Sequence, residues 1–151
     1  MKPSLPTLLL FCLTLSPVQA QDPTGLTIVE SAHDVTTTTD KLVTAVEGKG
    51  LGVFSRIDHA AGAQKAGMSL APTELVLFGN PKIGTALMHC GHTVAIDLPL
   101  KALIWQDPDG KVWLAYNDPD YLARRHNLSG CEKPLKKVSG ALAGFAAAAT
   151  Q

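Results

Sequence analysis

The 151-residue chain predicts an α+β fold of two layers, with helices covering one side of a mostly antiparallel sheet. Three observations carry that expectation. Short apolar segments of strand length recur between turn signals, helical apolar stripes lie near both ends of the folded region, and the order along the chain reads strand, helix, four strands, helix.

Residues 1–20 are expected to be a signal peptide. Lys2 supplies a short basic region, residues 5–15 are almost entirely apolar, and Ser16-Pro17-Val18-Gln19-Ala20 offers a small-residue cleavage site, with the cut after Ala20. A membrane anchor needs about 20 apolar residues, and Pro6, Thr14 and Pro17 interrupt a much shorter run. Cys12 sits inside the apolar core without the small residue that lipid attachment requires just before it. The mature protein is therefore expected to be periplasmic or secreted, without a membrane anchor. About 130 residues remain, enough for one domain with a proper core.

Within that domain, residues 21–34 comprise a polar, turn-rich linker and the first strand (residues 26–32), and residues 35–151 the rest of the α+β unit. Thr36 or Thr37 is expected to cap a helix with Leu42, Val43 and Val46 on one face, ended by Gly48 and Gly50. Residues 51–57 alternate loosely as strand two. Leu75-Val76-Leu77-Phe78 is a continuous apolar run, read as a centrally buried strand three. Residues 98–106 and 111–116 form strands four and five, joined at Asp107-Pro108-Asp109-Gly110, where proline presets one turn residue and glycine supplies positive φ. Trp105 and Trp113 flank this hairpin as packing residues. Asp118-Pro119 starts a short helix reaching His126, and residues 132–149 form a last helix whose Leu135, Val138, Leu142 and Phe145 make a stripe that packs on a sheet.

Charge narrows the partners. Thirteen basic residues balance thirteen acidic ones, with no basic cluster, which argues against nucleic acid and against an anionic membrane surface. After cleavage the cysteines are Cys90 and Cys131; an oxidising compartment makes a disulfide between them the default, closing a loop of about 40 residues and contributing about 3–4 kcal/mol. The competing reading makes Cys90 a free thiol or a metal ligand.

Four blocks carry a family resemblance: Ile57-Asp58-His59-Ala60-Ala61-Gly62-Ala63, the stretch from Pro72 through Glu74, Gly79-Asn80-Pro81-Lys82 and Gly84 to Thr85, Asp97-Leu98-Pro99-Leu100-Lys101-Ala102-Leu103-Ile104-Trp105, and Tyr116-Asn117-Asp118-Pro119. They resemble the family called domain of unknown function 302 over roughly residues 35–148. The resemblance implies a fold similar to the TATA-box-binding-protein-like class, a tendency to homodimers, cysteines suited to a disulfide in secreted members, and no established reaction or cofactor. A saddle-like sheet does not imply DNA binding, since fold and function separate.

Several residues are candidates for chemistry. Asp58-His59, past the end of strand two, offers a general base, a ligand donor or a metal ligand; alternatively Asp58 caps a short helix and His59 hydrogen-bonds beneath it. In Gly79-Asn80-Pro81-Lys82, asparagine and proline open a helix whose free amides, with Lys82, suit an anion, although Asn-Pro is already an adequate cap. Lys101, inside an apolar strand, either reaches solvent on the open face or lines a pocket beside Glu74 or Asp97. Met88, His89, Cys90 and His92 are soft or borderline metal donors without a recognised spacing. Asn127-Leu128-Ser129 is a sequon that matters only in a eukaryotic secretory pathway.

The expected function is a non-enzymatic ligand-binding or accessory module of the cell envelope, a homodimer whose small-molecule pocket, near the ends of strands two and three, is lined by Asp58, His59, Asn80, Lys82, Lys101 and Tyr116. The alternatives are an envelope protein binding copper, zinc or haem through Met88, His89 and His92, and a hydrolase built on Asp58 and His59. The hydrolase lacks a visible nucleophile, as there is no Gly-x-Ser-x-Gly.

Overall fold

The computed structural model describes residues 24–151; the expected signal peptide, with its expected cleavage after Ala20, and Cys12 lie outside the described residues. The elements run β1 (Leu26–Ser31), α1 (Val35–Glu47), β2 (Gly52–Asp58), α2 (His59–Lys65), β3 (Thr73–Gly79), α3 (Pro81–Cys90), a 3-10 turn (His92–Asp97), β4 (Leu100–Gln106), β5 (Val112–Asn117), α4 (Pro119–His126) and α5 (Glu132–Thr150). The five strands form one sheet in the order β1-β5-β4-β3-β2, and every neighbouring pair is antiparallel. This is the two-layer α+β arrangement that the strand and helix order predicts.

The pleat sorts each strand into two faces. Val76 and Phe78 of β3, Leu100, Ala102 and Ile104 of β4, and Val112, Leu114 and Tyr116 of β5 are buried. They pack with Leu42 and Val46 of α1 and Leu135, Val138, Leu142 and Phe145 of α5 in one core. Phe145 meets Phe78 edge-on, with ring centroids 6.0 Å apart, an arrangement that suits the ring quadrupoles. Both long helices thus share one side of the sheet.

The start of α1 differs from expectation. Asp34, not Thr36 or Thr37, is the N-cap: its carboxylate accepts from the Thr37 amide at 2.7 Å, and that contact holds the Asp34 carboxyl below its ordinary pKa. Thr38 and Thr39 are buried one position further on, their hydroxyls donating to the Asp34 and Val35 carbonyls. A run of threonines conceals this start, because each can bond locally and only the register decides which one lies inside.

The β4–β5 turn matches its sequence signals. Gly110 takes φ 84° and its amide donates to the Asp107 carbonyl. The Asp107 carboxylate accepts from the Trp113 indole at 2.8 Å and from the Asp109 and Lys111 amides, which lowers its pKa. Strand four begins two residues later than predicted, after the cis Leu98–Pro99 peptide, since proline has no amide to give the ladder. Cys90, at the end of α3, and Cys131, just before α5, form a disulfide with Cα atoms 6.1 Å apart.

Candidate functional site

The antiparallel pairing of β2 with β3 fixes where the candidate residues stand. Gly52 pairs with Gly79 and Asp58 with Glu74, so Asp58 and His59 occupy one end of this strand pair and Asn80 and Lys82 the other, about 20 Å away at ~3.3 Å per residue. Asp58 caps α2, accepting from the Ala61 amide at 2.8 Å, and His59 is that helix's exposed first residue. Asn80 Oδ1 accepts from the Lys82 amide at 2.9 Å. Tyr116 is in the core; burial raises its phenol pKa, against the pull of a hydrogen bond with Thr27. Lys101 stands opposite Leu77 on the face away from α1 and α5, and its ammonium donates to the Asp97 carbonyl at 2.8 Å. Glu74 belongs to another contact, an ion pair with Arg56 that Asp40 shares. The six residues therefore do not meet in one cavity; of them, Asn80 alone lines the cleft described next.

That cleft lies at the Asn80 end, with a volume of about 330 Å³. Its walls come from four places. Irregular pairing between Val53 and Ser55 swings Phe54 out of the ladder, leaving it 56% exposed; a bulge commonly re-aims a side chain in this way. Helix α3 contributes Ile83, Gly84, Leu87 and Met88, residues spaced to share a helical face. Leu98, Pro99 and Leu100 close one side, and Leu51 the other. Gly84 leaves a gap in the middle of the α3 face: a methyl built there would touch Leu98 Cδ1 at 3.7 Å. Among the described residues no charged side chain lines the cleft.

The metal donors diverge. Met88 faces the apolar cleft, His89 and His92 are exposed, and Cys90 is in the disulfide. Among the described residues no group of three His, Cys, Asp or Glu side chains is placed to hold a metal ion.

A second polar cluster connects the 3-10 turn to α4. His126 Nε2 lies 2.5 Å from Asp97 Oδ2 and His126 Nδ1 lies 3.0 Å from Thr93 Oγ1. The His126 side chain is 5% exposed and that of Asp97 12%, and Arg125 adds a 3.5 Å contact to Asp97. Gly91 permits the close approach, because a Cβ there would lie 2.9 Å from the His126 carbonyl. No spacing in the sequence marks this network. The cleft left a fainter trace, a glycine between the apolar Ile83 and Leu87 of α3.

With this geometry in place, the comparisons with known proteins are informative. The sequence profile of the family described as "Domain of unknown function DUF302" matches residues 27–145. The chain belongs to this family. A DUF302 structure supports the same fold: the crystal structure of an uncharacterized conserved DUF302 protein from Bacillus stearothermophilus superposes with a TM-score of 0.74 at 17% identity, covering 83% of this chain and 98% of that one. Curated relatives of this DUF302 chain carry a different kind of name. It is 51% identical over 104 residues to the "Fluoride-specific ion channel FluC 1" of Brucella suis biovar 1 (strain 1330), covering 69% of this chain and 41% of the relative. The "Fluoride-specific ion channel FluC 2" of Brucella melitensis biotype 1 (strain ATCC 23456 / CCUG 17765 / NCTC 10094 / 16M) matches at the same identity and share of this chain, over 38% of its own length. The chain thus spans about two-fifths of the curated relatives it matches. Among the described residues no helix is long and apolar enough to cross a membrane.

Proposed function

We propose that this DUF302 domain is a non-enzymatic binding module of the cell envelope that holds a small, largely apolar molecule in the cleft between Phe54, α3 and the Leu98–Leu100 segment. The observation that carries the reading is the cleft's chemistry. A concave site of a few hundred Å³ with apolar walls and few polar groups is the usual form of a small-molecule site, and the cleft's volume of about 330 Å³ falls in that range. With no charged wall, affinity comes from removing apolar surface from water, about 25 cal/mol per Å². Asn80, already spent on its helix cap, stands in the wall where a polar head would meet it. The apolar stretch at residues 5–15, read as a signal peptide, and the Cys90–Cys131 disulfide are what supports reading it as exported to an oxidising compartment.

Calorimetric titration of the purified protein with 1-octanol, octanoate and glycerol tests this. Octanol and octanoate are expected to bind and glycerol is not, and Gly84→Phe, which fills the cleft, is expected to abolish binding without unfolding the domain. Equal responses in wild type and Gly84→Phe would refute the site.

A second reading rests on the Brucella relatives. More than half of each lies outside the match, so the shared stretch is one part of chains named as fluoride channels. On this reading the module is an accessory domain whose partner is a membrane-embedded anion channel, and in-cell cross-linking of the tagged chain to such a channel is its test. The hydrolase reading ranks last, because Asp58 is engaged as a helix cap at the far end of β2 from the cleft.

A further inference from the structure

The cleft runs along α3 and its two ends differ in chemistry. Asn80, Gly84 and Met88 follow one another at steps of four residues along one side of the helix, and all three line the cleft, which gives it a length of about 12 Å at 1.5 Å per residue. Phe54 covers the Asn80 end, where a Cβ built on Gly79 would lie 3.5 Å from its ring. Leu98 faces Gly84 in the middle, and Leu87 and Met88 form the far end. Apart from Thr85, which is exposed, the only polar side chain in the wall is thus Asn80, at one extremity.

The start of α3 decides what that extremity can bind. A helix N-terminus ordinarily presents unpaired amides that suit an anion, but here each is occupied or missing. Pro81 has no amide hydrogen. The Lys82 amide donates to Asn80 Oδ1 at 2.9 Å, and the Ile83 and Gly84 amides both donate to the Asn80 carbonyl at 3.0 Å. The Lys82 side chain is exposed and does not line the cleft. The cap uses only Asn80 Oδ1. Because the Lys82 amide needs an oxygen to accept from it, that bond also fixes which way the Asn80 carboxamide is turned, and Nδ2 is left with two N–H donors. Among the described residues nothing accepts from Nδ2, and no unpaired side-chain nitrogen or oxygen is sealed off in the interior, so these donors are open to a molecule in the cleft.

We infer that the cleft selects uncharged molecules with a hydrogen-bond-accepting oxygen at one end of an aliphatic chain, and that Asn80 Nδ2 is the group that recognises the oxygen. The inference rests on the cleft being a binding site and narrows what it binds. An ionised head would enter a wall that holds no counter-charge and no free backbone amide, and would lose its water without compensation. A neutral carbonyl loses less on leaving water and meets two donors aimed at no other acceptor. A site that offers hydrogen-bond donors also discriminates against a ligand lacking the acceptor, more sharply than the fit of an apolar chain does.

Calorimetric titration of the purified chain with 2-octanone, 1-octanol and octanoate at about pH 7, where octanoate is ionised, tests this. 2-Octanone and 1-octanol are expected to bind alike, and octanoate about tenfold more weakly or worse. Asn80→Asp keeps the cap, since aspartate caps as well as asparagine, but replaces the amide nitrogen with an oxygen that only accepts. This variant is expected to bind 2-octanone about tenfold more weakly and to retain 1-octanol, whose hydroxyl can donate to the new carboxylate. Asn80→Ser, another good cap, places no amide donor in the wall and is expected to weaken 2-octanone to a similar degree. Octanoate binding as tightly as 2-octanone, or both variants binding 2-octanone like wild type, would overturn the inference and leave the cleft standing. Wild-type protein that binds none of the three would overturn the cleft itself, and this inference with it.

Discussion

His126 Nε2 and Asp97 Oδ2 stand 2.5 Å apart, joining α4 to the 3-10 turn that precedes β4. With the carboxylate accepting, Nε2 carries the proton and Nδ1 faces the Thr93 hydroxyl. One imidazole thereby satisfies a poorly exposed carboxylate and fixes the turn that leads into Leu98–Leu100, one side of the cleft. His126→Ala leaves Asp97 without its main partner, at a cost of about 1–3 kcal/mol. A thermal melt should show a fall of roughly 5–10 °C, and His126→Gln, which keeps a donor, should recover part of it. An unchanged melting temperature would show that the pair contributes nothing to stability.

Arg56 ties β2 to both of its neighbours, donating to Glu74 of β3 and to Asp40 of α1. These bonds raise the guanidinium's pKa, so it is charged at every pH of interest. Glu74 is buried, and removing its partner strands a carboxylate. Since Arg56 is itself partly exposed, Arg56→Met is expected to cost about 1–3 kcal/mol, less than for a fully buried pair. Arg56→Met combined with Glu74→Met should regain most of the loss, because an apolar pair of similar volume carries no stranded charge. Urea unfolding measures both; a double variant no better than the single one would contradict this account.

Tyr116 gives a pH signature. Burial holds its phenol neutral above the ordinary value of 10.0. Above about pH 10 the unfolded chain therefore releases a proton that the folded chain keeps, and stability falls as pH rises, by up to about 1.4 kcal/mol per unit from this group. Tyr116→Phe should remove that increment, so its stability curve should fall less steeply than wild type between pH 10 and 11, after a loss of about 1 kcal/mol at neutral pH from the missing Thr27 bond. Parallel curves would show that Tyr116 has no raised pKa.

Much of the fold was legible because the period-two strands, the Pro-Asp-Gly turn and the α5 stripe are local signals. Five strands and two packed helices follow from patterns a few residues long. The site was less legible, because pairing direction is not a local property. Asp58-His59 and Asn80-Lys82 each lie beside the β2–β3 pair in sequence, yet the antiparallel ladder sends them to opposite ends. Tyr116, expected at a pocket, faces the core because its pleat position matches Leu114 two residues earlier. Phe54 reaches the cleft through an irregular register, and the Asp97–His126 contact spans separate elements; neither has a spacing rule. Gly84 is a partial exception, since a helix glycine flanked by large apolar residues hints at a gap that something fills.

The most direct test of the central claim is a methyl-NMR titration of the protein with 1-octanol, with the Gly84→Phe variant beside it. The cleft predicts saturable shifts at Leu51, Ile83, Leu87, Met88 and Leu98, none at Ile57 beside Asp58 and His59, and none at any of these positions in Gly84→Phe. Shifts centred on Ile57, or a wild-type spectrum that octanol leaves unchanged, would contradict it.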